Sequence, residues 1–154
     1  APQSVKGCMP WVNINFPEAL NVSATFECSD VVQSQLTYGA EDDSLLQWLI
    51  DSGCKTLKEV AKDSTRWGNH WNTKGVPKRV VETGSYEEWC ENNVYAVAGN
   101  ISEWTQERYG SLLRVLRGGN YLDFGCVYPA AYRCNFGPFD CCNSTGFRVT
   151  VYVK

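Results

Sequence analysis

Eight cysteines and a single histidine are the residues of this 154-residue chain best suited to bind a metal or act as nucleophiles. A structural zinc site needs paired Cys-x2–4-Cys units. Here Cys141 and Cys142 are adjacent, Cys134 lies seven residues earlier, and His70 is remote from all three. No metal site is expected from that spacing. A Ser-His-Asp or Cys-His arrangement needs an imidazole beside its nucleophile, and His70 has no such neighbour in sequence. It is expected to pack or cap within the loop between Trp67 and Trp71. Cys8, Cys28, Cys54 and Cys90 are spread widely enough for one or two long-range disulfides if the chain is exported. Their pairing is left open by spacing alone.

The remaining thiols, Cys126, Cys134, Cys141 and Cys142, fall in a stretch of restricted alphabet. Residues 118–153 contain no Lys, Glu, Gln, Met or Trp, although these types supply 28 of the first 117 residues. At that upstream frequency, chance would give such a run about once in 20,000 trials. The same stretch scatters Tyr, Phe, Asp, Asn, Gly, Leu and Val with no period of 2 or 3.6. A catalytic pocket needs a few fixed groups. This segment reads instead as a surface whose side chains vary.

Composition narrows the class further. The length fits one domain over residues 1–154, and 13% aromatic residues supply a core that needs no metal or cofactor. A net charge of −3 with dispersed basic residues argues against a nucleic-acid partner. Lys74, Lys78 and Arg79 form a small group that reads as a solvated loop. No apolar run is long enough for a membrane span. The chain opens at Ala1 with neither Met nor leader, as processing or a boundary would leave it.

The elements that must position these residues are short. Residues 5–16 read as extended, with Val12, Ile14 and Phe16 alternating with Asn13 and Asn15. Residues 18–40 read mostly as loop. A helix is predicted over 43–51, capped by Asp42 or Asp43 and ended by Gly53. A second is predicted over 57–62, with a Thr56–Glu59 capping box and Leu57, Val60 and Ala61 buried. Residues 63–91 form a long loop pinned by Trp67, Trp71 and Trp89. Strands are predicted over 93–98, 114–117 and 146–153. In the last, Phe147, Val149, Val151 and Val153 should share one buried face.

Three motifs carry a resemblance: Tyr95-Ala-Val-Ala-Gly-Asn-Ile-Ser-Glu-Trp-Thr105, Arg114-Val-Leu-Arg-Gly-Gly-Asn-Tyr121 and Gly146-Phe-Arg-Val149. In order and spacing, residues 38–154 resemble the formylglycine-generating, sulfatase-modifying domain family, a branch of the C-type lectin fold. Asp63-Ser-Thr-Arg-Trp-Gly-Asn69 resembles a piece common in phage-encoded members. The resemblance implies an α+β, C-type lectin-like fold, with short helices around small antiparallel sheets and much irregular loop. Scaffold roles fall to Gly99, Asn100, Glu103, Trp104, Arg117, Gly118, Gly119, Arg133, Gly146, Phe147 and Arg148. The three arginines suit multi-donor pairing with carboxylates or carbonyls. Lectin-like relatives hold calcium through oxygens, for which Asn100 and Glu103 are the nearest candidates; no bound metal or other cofactor is expected.

Catalytic members of that family carry reactive cysteines four residues after the second Gly of Arg-Gly-Gly and five residues beyond. Asp123 and Tyr128 occupy those places here, which removes the thiol pair that an oxidase would use. The segment resembles instead the variable region of proteins diversified by retroelements. Adenine-directed rewriting of AAY codons yields NNY, which excludes Lys, Glu, Gln, Met and Trp and makes cysteine common. The resemblance implies a noncatalytic ligand-binding protein with a variable region over residues 120–145. Its expected ligand contacts are Tyr121, Asp123, Phe124, Gly125, Cys126, Val127 and Tyr128 in one loop. The second loop supplies Cys134, Asn135, Phe136, Phe139, Asp140, Cys141, Cys142 and Asn143, with constant residues 129–133 between them. The expected partner is a variable ligand, a protein on a cell surface. The expected location is a virion or the cell exterior. Alternatives are an unusual sulfatase-modifying oxidoreductase and a structural virion or envelope subunit.

Overall fold

The computed structural model describes residues 5–26 and 29–154. Its first helix, α1 (Phe16–Ala24), takes part of the expected loop, and residues 5–15 of the expected extended run form no strand. An Asn-x-x-Glu capping box decides this. The Asn15 side chain accepts from Glu18 N at 3.0 Å, and the Glu18 carboxylate accepts from Asn15 N at 3.1 Å. Pro17 in the first turn adds to the start signal. Ile14, Phe16 and Ala19 then enter the core together. The rest of the expected loop holds β1 (Val32–Leu36), which pairs antiparallel with the terminal strand.

Helix α2 (Gly39–Asp51) starts four residues before the predicted position, behind Tyr38, whose N–H donates to the Glu41 carboxylate at 2.8 Å. Asp42 therefore lies in its first turn and Asp43 just beyond it, and neither caps the helix. Helix α3 (Leu57–Ala61) has the predicted Thr56–Glu59 box. Only Val60 is buried; Leu57 and Ala61 are exposed, because so short a helix turns few positions inward. The expected strand over 93–98 shrinks to β3 (Val94–Tyr95), a partner of β2 (Cys90–Glu91). It stops where Ala96 adopts φ +49°.

A four-stranded sheet carries the rest, in the order β6 (Arg133–Phe136), β5 (Leu113–Arg117), β4 (Ser102–Tyr109), β7 (Thr145–Phe147). Two pairings are antiparallel, but β4 and β7 run parallel, a departure from the all-antiparallel expectation. The chain leaves β6 at one end of the sheet, and residues 137–144 carry it back before it joins β4. A parallel neighbour cannot be reached by a tight turn. The expected single strand over 146–153 is thus two, since β8 (Val149–Val153) pairs with β1 in a separate ribbon. Its predicted buried face survives only at the near end, where Phe147 packs against the core and Val149 is half-buried. Val151 and Val153 are exposed because none of the described residues covers the end of this two-stranded ribbon.

Strand alternation splits the four-stranded sheet between two layers. Trp104 and Leu116 meet Ile14, Phe16, Ala19 and Leu36 on the α1 side, with Cys134, Phe136 and Phe147 packed against them. Arg117, one residue on from Leu116, faces α2. Leu46, Leu49, Val60, Trp67, Val97, Ala98 and Ala130 form the second cluster. The Trp104 indole N–H donates to Ile14 O at 2.9 Å, so this buried aromatic is polar-satisfied as well as packed. No described helix is long and apolar enough to cross a membrane. Cys54 and Cys90 are free thiols, so the expected disulfide does not join them; Cys28 lies outside the described residues.

Candidate ligand-binding surface

The chain leaves β5 through Gly118 and Gly119, both with positive φ. At Gly119 a β-carbon would lie 2.6 Å from Tyr128 O, so only glycine lets the two arms of the following loop close. Asn120 then braces the exit. Its Oδ1 accepts from Leu122 N at 2.9 Å, its Nδ2 donates to Ser102 Oγ at 3.0 Å, and its N–H donates to the Asp123 carboxylate at 3.1 Å.

Groups from outside the restricted segment pin the main chain beyond this point. Gly125 N donates to Asn72 Oδ1 at 3.0 Å, and Gly125 O accepts from Ser64 N at 3.0 Å. Asp123 O accepts from Trp71 N at 2.8 Å. Ala130 N donates to Ser64 Oγ at 2.9 Å and Ala131 N to Val60 O at 3.0 Å. Between these ties, Val127 N and Tyr128 N both reach Phe124 O at 2.9 Å, closing one helical turn. Phe124 and Val127 are 47% and 56% exposed on that turn, beside exposed Leu122 and Cys126. The backbone is fixed while these side chains are exposed.

Not every expected contact faces outward. Tyr121 is only 7% exposed, and its N–H donates to Asn100 O, which turns the ring into the frame. Gly125 is buried: a β-carbon there would lie 2.6 Å from Thr65 N and 2.8 Å from the His70 ring. Asp123 is half-buried, and burial raises its carboxyl pKa. Tyr128 is half-buried and stacks edge-on against Tyr132 with centroids 4.9 Å apart. On β6, alternation sends Cys134 and Phe136 inward and Asn135 outward, with the Phe136 ring 5.9 Å from Trp104. In the crossover, Phe139, Asp140, Cys141 and Asn143 are exposed. Cys142 is half-buried against Ser144 and Thr145, whose hydrogen bonds hold its thiol below the usual range against the opposing effect of burial. The exposed groups thus occupy the 122–127 turn, Asn135 on β6 and the crossover. Asn120 binds Ser102, whose N–H donates to Ser144 O at 2.8 Å, so turn and crossover share a support.

Sequence reasoning missed Leu122, Tyr132 and Trp71, all exposed beside the turn. Leu122 lay between two chosen residues. Tyr132 was assigned to the constant stretch, and Trp71 to a loop anchor.

The scaffold residues are tied by charge. The Arg117 guanidinium, 1% exposed, donates to Asp42 and Asp43 at 2.7 and 2.5 Å and to Ala131 O at 2.7 Å. Arg133 joins the same network through Asp43 and through Glu107 at 3.0 Å. Arg148 grips both Glu103 oxygens at 2.8 and 2.9 Å. Burial raises the pKa of Asp42 and of Glu103, while the facing arginines pull each the other way. The Asn100 amide is equally engaged, accepting from Asn69 Nδ2 and Val81 N and donating to Val81 O. Both oxygen donors considered for calcium are therefore committed to protein partners. Among the described residues, no three His, Cys, Asp or Glu side chains gather into a metal-binding group.

His70 is fully buried under the turn, against Gly119 and Gly125, and neither ring nitrogen makes a well-formed hydrogen bond. It packs, as expected. Burial lowers its pKa from 6.5 to about 4, against smaller pulls from Asp63 and the Asn120 main chain. A depressed histidine favours folding when neutral. Its contribution is complete above pH 6.5 and is lost as the pH falls toward 4, to an extent on the order of 3 kcal/mol. Urea midpoints of the wild type should therefore fall between pH 6.5 and 5 more than those of His70→Gln. Asp42 and Glu103, raised by burial, act in the opposite sense in both proteins, so the difference isolates His70. Parallel pH profiles would refute the assignment.

Residues 35–153 match the sulfatase-modifying factor enzyme 1-like domain. No curated protein matches the chain in sequence. Among solved structures, Treponema denticola variable protein 1 is similar with a TM-score of 0.64 at 16% identity, over 98% of this chain and 74% of that one. PvdO from Pseudomonas aeruginosa gives 0.70 at 18% identity, over 93% of this chain and 61% of its own. CarF gives 0.63 at 20% identity, over 83% and 50%. The chain thus spans about half to three quarters of these proteins, and the shared property is the fold: α+β, C-type lectin-like, of the formylglycine-generating type.

Proposed function

Starting from a chain that belongs to the sulfatase-modifying factor enzyme 1-like domain family, we propose a noncatalytic member that binds a ligand through a surface diversified by a retroelement. One observation carries the reading. The main chain of the 122–131 loop is held by Ser64, Asn72, Trp71 and Val60, none of which lies in the restricted segment. The side chains of Leu122, Phe124, Cys126 and Val127 are meanwhile exposed. Side chains can change there without disturbing core packing, as in binding loops on a rigid scaffold. The likeness in fold to a variable protein supports the same reading.

The face is revised accordingly. Leu122, Phe124, Cys126, Val127, Tyr132, Asn135, Phe139, Asp140, Cys141 and Asn143 form it, while Tyr121, Gly125, Cys134 and Phe136 belong to the frame. Exposed aromatic and aliphatic groups among polar ones suit a partly apolar protein ligand. A protein on a cell surface, met by a virion or by a displaying cell, fits that chemistry. Asp123 and Tyr128 supply no thiol at the family's catalytic places, so a sulfatase-type peptide should acquire no formylglycine, with or without copper.

The gene provides the test. A near-copy of the sequence encoding residues 118–146 should lie beside a reverse transcriptase gene, and the two copies should differ where the copy has adenine. Those differences should fall on outward residues and spare Tyr121, Gly125 and Phe136. Substitutions spread evenly over the four bases, or no copy at all, would remove diversification from the account.

A further inference from the structure

The loop that clasps the variable turn has a charge of its own. Residues 64–81 contain Arg66, Lys74, Lys78 and Arg79 and no carboxylate, in a chain whose net charge is −3. All four cations are exposed. Trp71 lies in the same stretch, 45% exposed, and its main-chain N–H donates to Asp123 O at 2.8 Å, within the loop that carries Leu122 and Phe124. Lys78 Nζ donates to Thr73 O at 2.8 Å and lies 5.8 Å from the Trp71 ring. A cleft of about 490 Å³ opens along the same loop, lined by Arg66, Lys74 and Glu88, and Arg66 also feels the charges of Glu59 and Asp63. An exposed tryptophan held by its main chain, with the Lys78 ammonium over its ring, has no role in the core. Both features lie outside the restricted segment, so they stay constant while the turn varies.

Resting on the ligand-binding reading above, we propose that this loop is the constant half of the binding face. It confines the variable half to protein ligands that present an acidic segment beside an apolar or aromatic side chain. Trp71 supplies the shared apolar anchor, and the cations supply charge complementarity and orientation. The variable turn then chooses among ligands that already satisfy those two conditions.

A random-peptide display library selected on the full chain tests this. Enriched peptides should carry an excess of Asp and Glu next to an aromatic or aliphatic residue. Synthetic copies should bind Arg66→Glu/Lys74→Glu at least about tenfold more weakly and lose affinity as salt is raised. Both substitutions are at exposed positions, and circular dichroism checks that folding is retained. Peptides without charge bias, weakened by Phe124→Ser/Val127→Ser but indifferent to Arg66→Glu/Lys74→Glu, would overturn the constant-loop inference and leave the binding face standing. A library yielding no peptide sensitive to either pair would overturn both. Tighter binding of single-stranded DNA than of any acidic peptide would also overturn the proposal, since the loop would then serve a phosphate backbone.

Discussion

Trp104→Ala should lower the unfolding free energy by about 3–5 kcal/mol, the range for deleting a large buried aromatic. Trp104 is 0% exposed, its ring lies within about 6 Å of both Phe16 and Phe136, and its N–H bond to Ile14 ties the N-terminal segment to the sheet. Substitution opens a cavity and also strands the Ile14 carbonyl. Phe124→Ala and Phe139→Ala should stay within about 0.5 kcal/mol, as exposed positions do. Phe136→Ala should fall between these limits, because its half-buried ring packs against Trp104. Urea unfolding of the four variants decides the matter. Losses at Phe124 and Phe139 as large as that at Trp104 would mean that the supposed face is core.

Arg117→Met should cost a similar amount, about 3–5 kcal/mol, for an electrostatic reason. Its guanidinium is the buried counter-charge of Asp42 and also bonds Asp43 and Ala131 O. Without it, Asp42 keeps its burial and loses its principal stabilising partner. Desolvation then raises the Asp42 pKa further above its unfolded value. The variant should consequently recover part of the loss as the pH falls and Asp42 protonates, a direction opposite to ordinary acid denaturation. Arg117→Lys keeps the charge but cannot span both carboxylates and the carbonyl, so its cost should be smaller but distinct. Arg117→Met with Asp42→Leu removes both charges and should restore much of the stability. A double variant no better than the single one would show that the pair acts through shape.

Local signals were legible in the sequence wherever a few neighbouring residues decide the outcome. The Thr56–Glu59 box marks α3, the strand predicted over 114–117 is part of β5, and the arginines chosen for carboxylate pairing do pair. The box at Asn15 and Glu18 was equally local, yet the alternation of Val12, Ile14 and Phe16 masked it. Long-range pairing was not legible. Nothing in residues 32–36 announces the strand that receives the C-terminus, and nothing in the terminal run announces its division between two sheets. For the candidate face, the missing residue types outline the segment but give no side-chain direction. Phe136 and Asn135 look alike to composition; the pleat of β6 separates them. Gly125 looks variable until Thr65 and His70 are seen to occupy the space of its side chain.

The ties from Ser64, Asn72 and Trp71 have a kinetic consequence. They engage main-chain atoms, which every version of the turn possesses, so the loop is ordered when the protein folds and not when a ligand arrives. Its conformational entropy is then absent from the binding step. On the proposed binding role, versions of this chain that differ only on the turn should meet their ligands at similar association rates, and their affinities should separate through residence time.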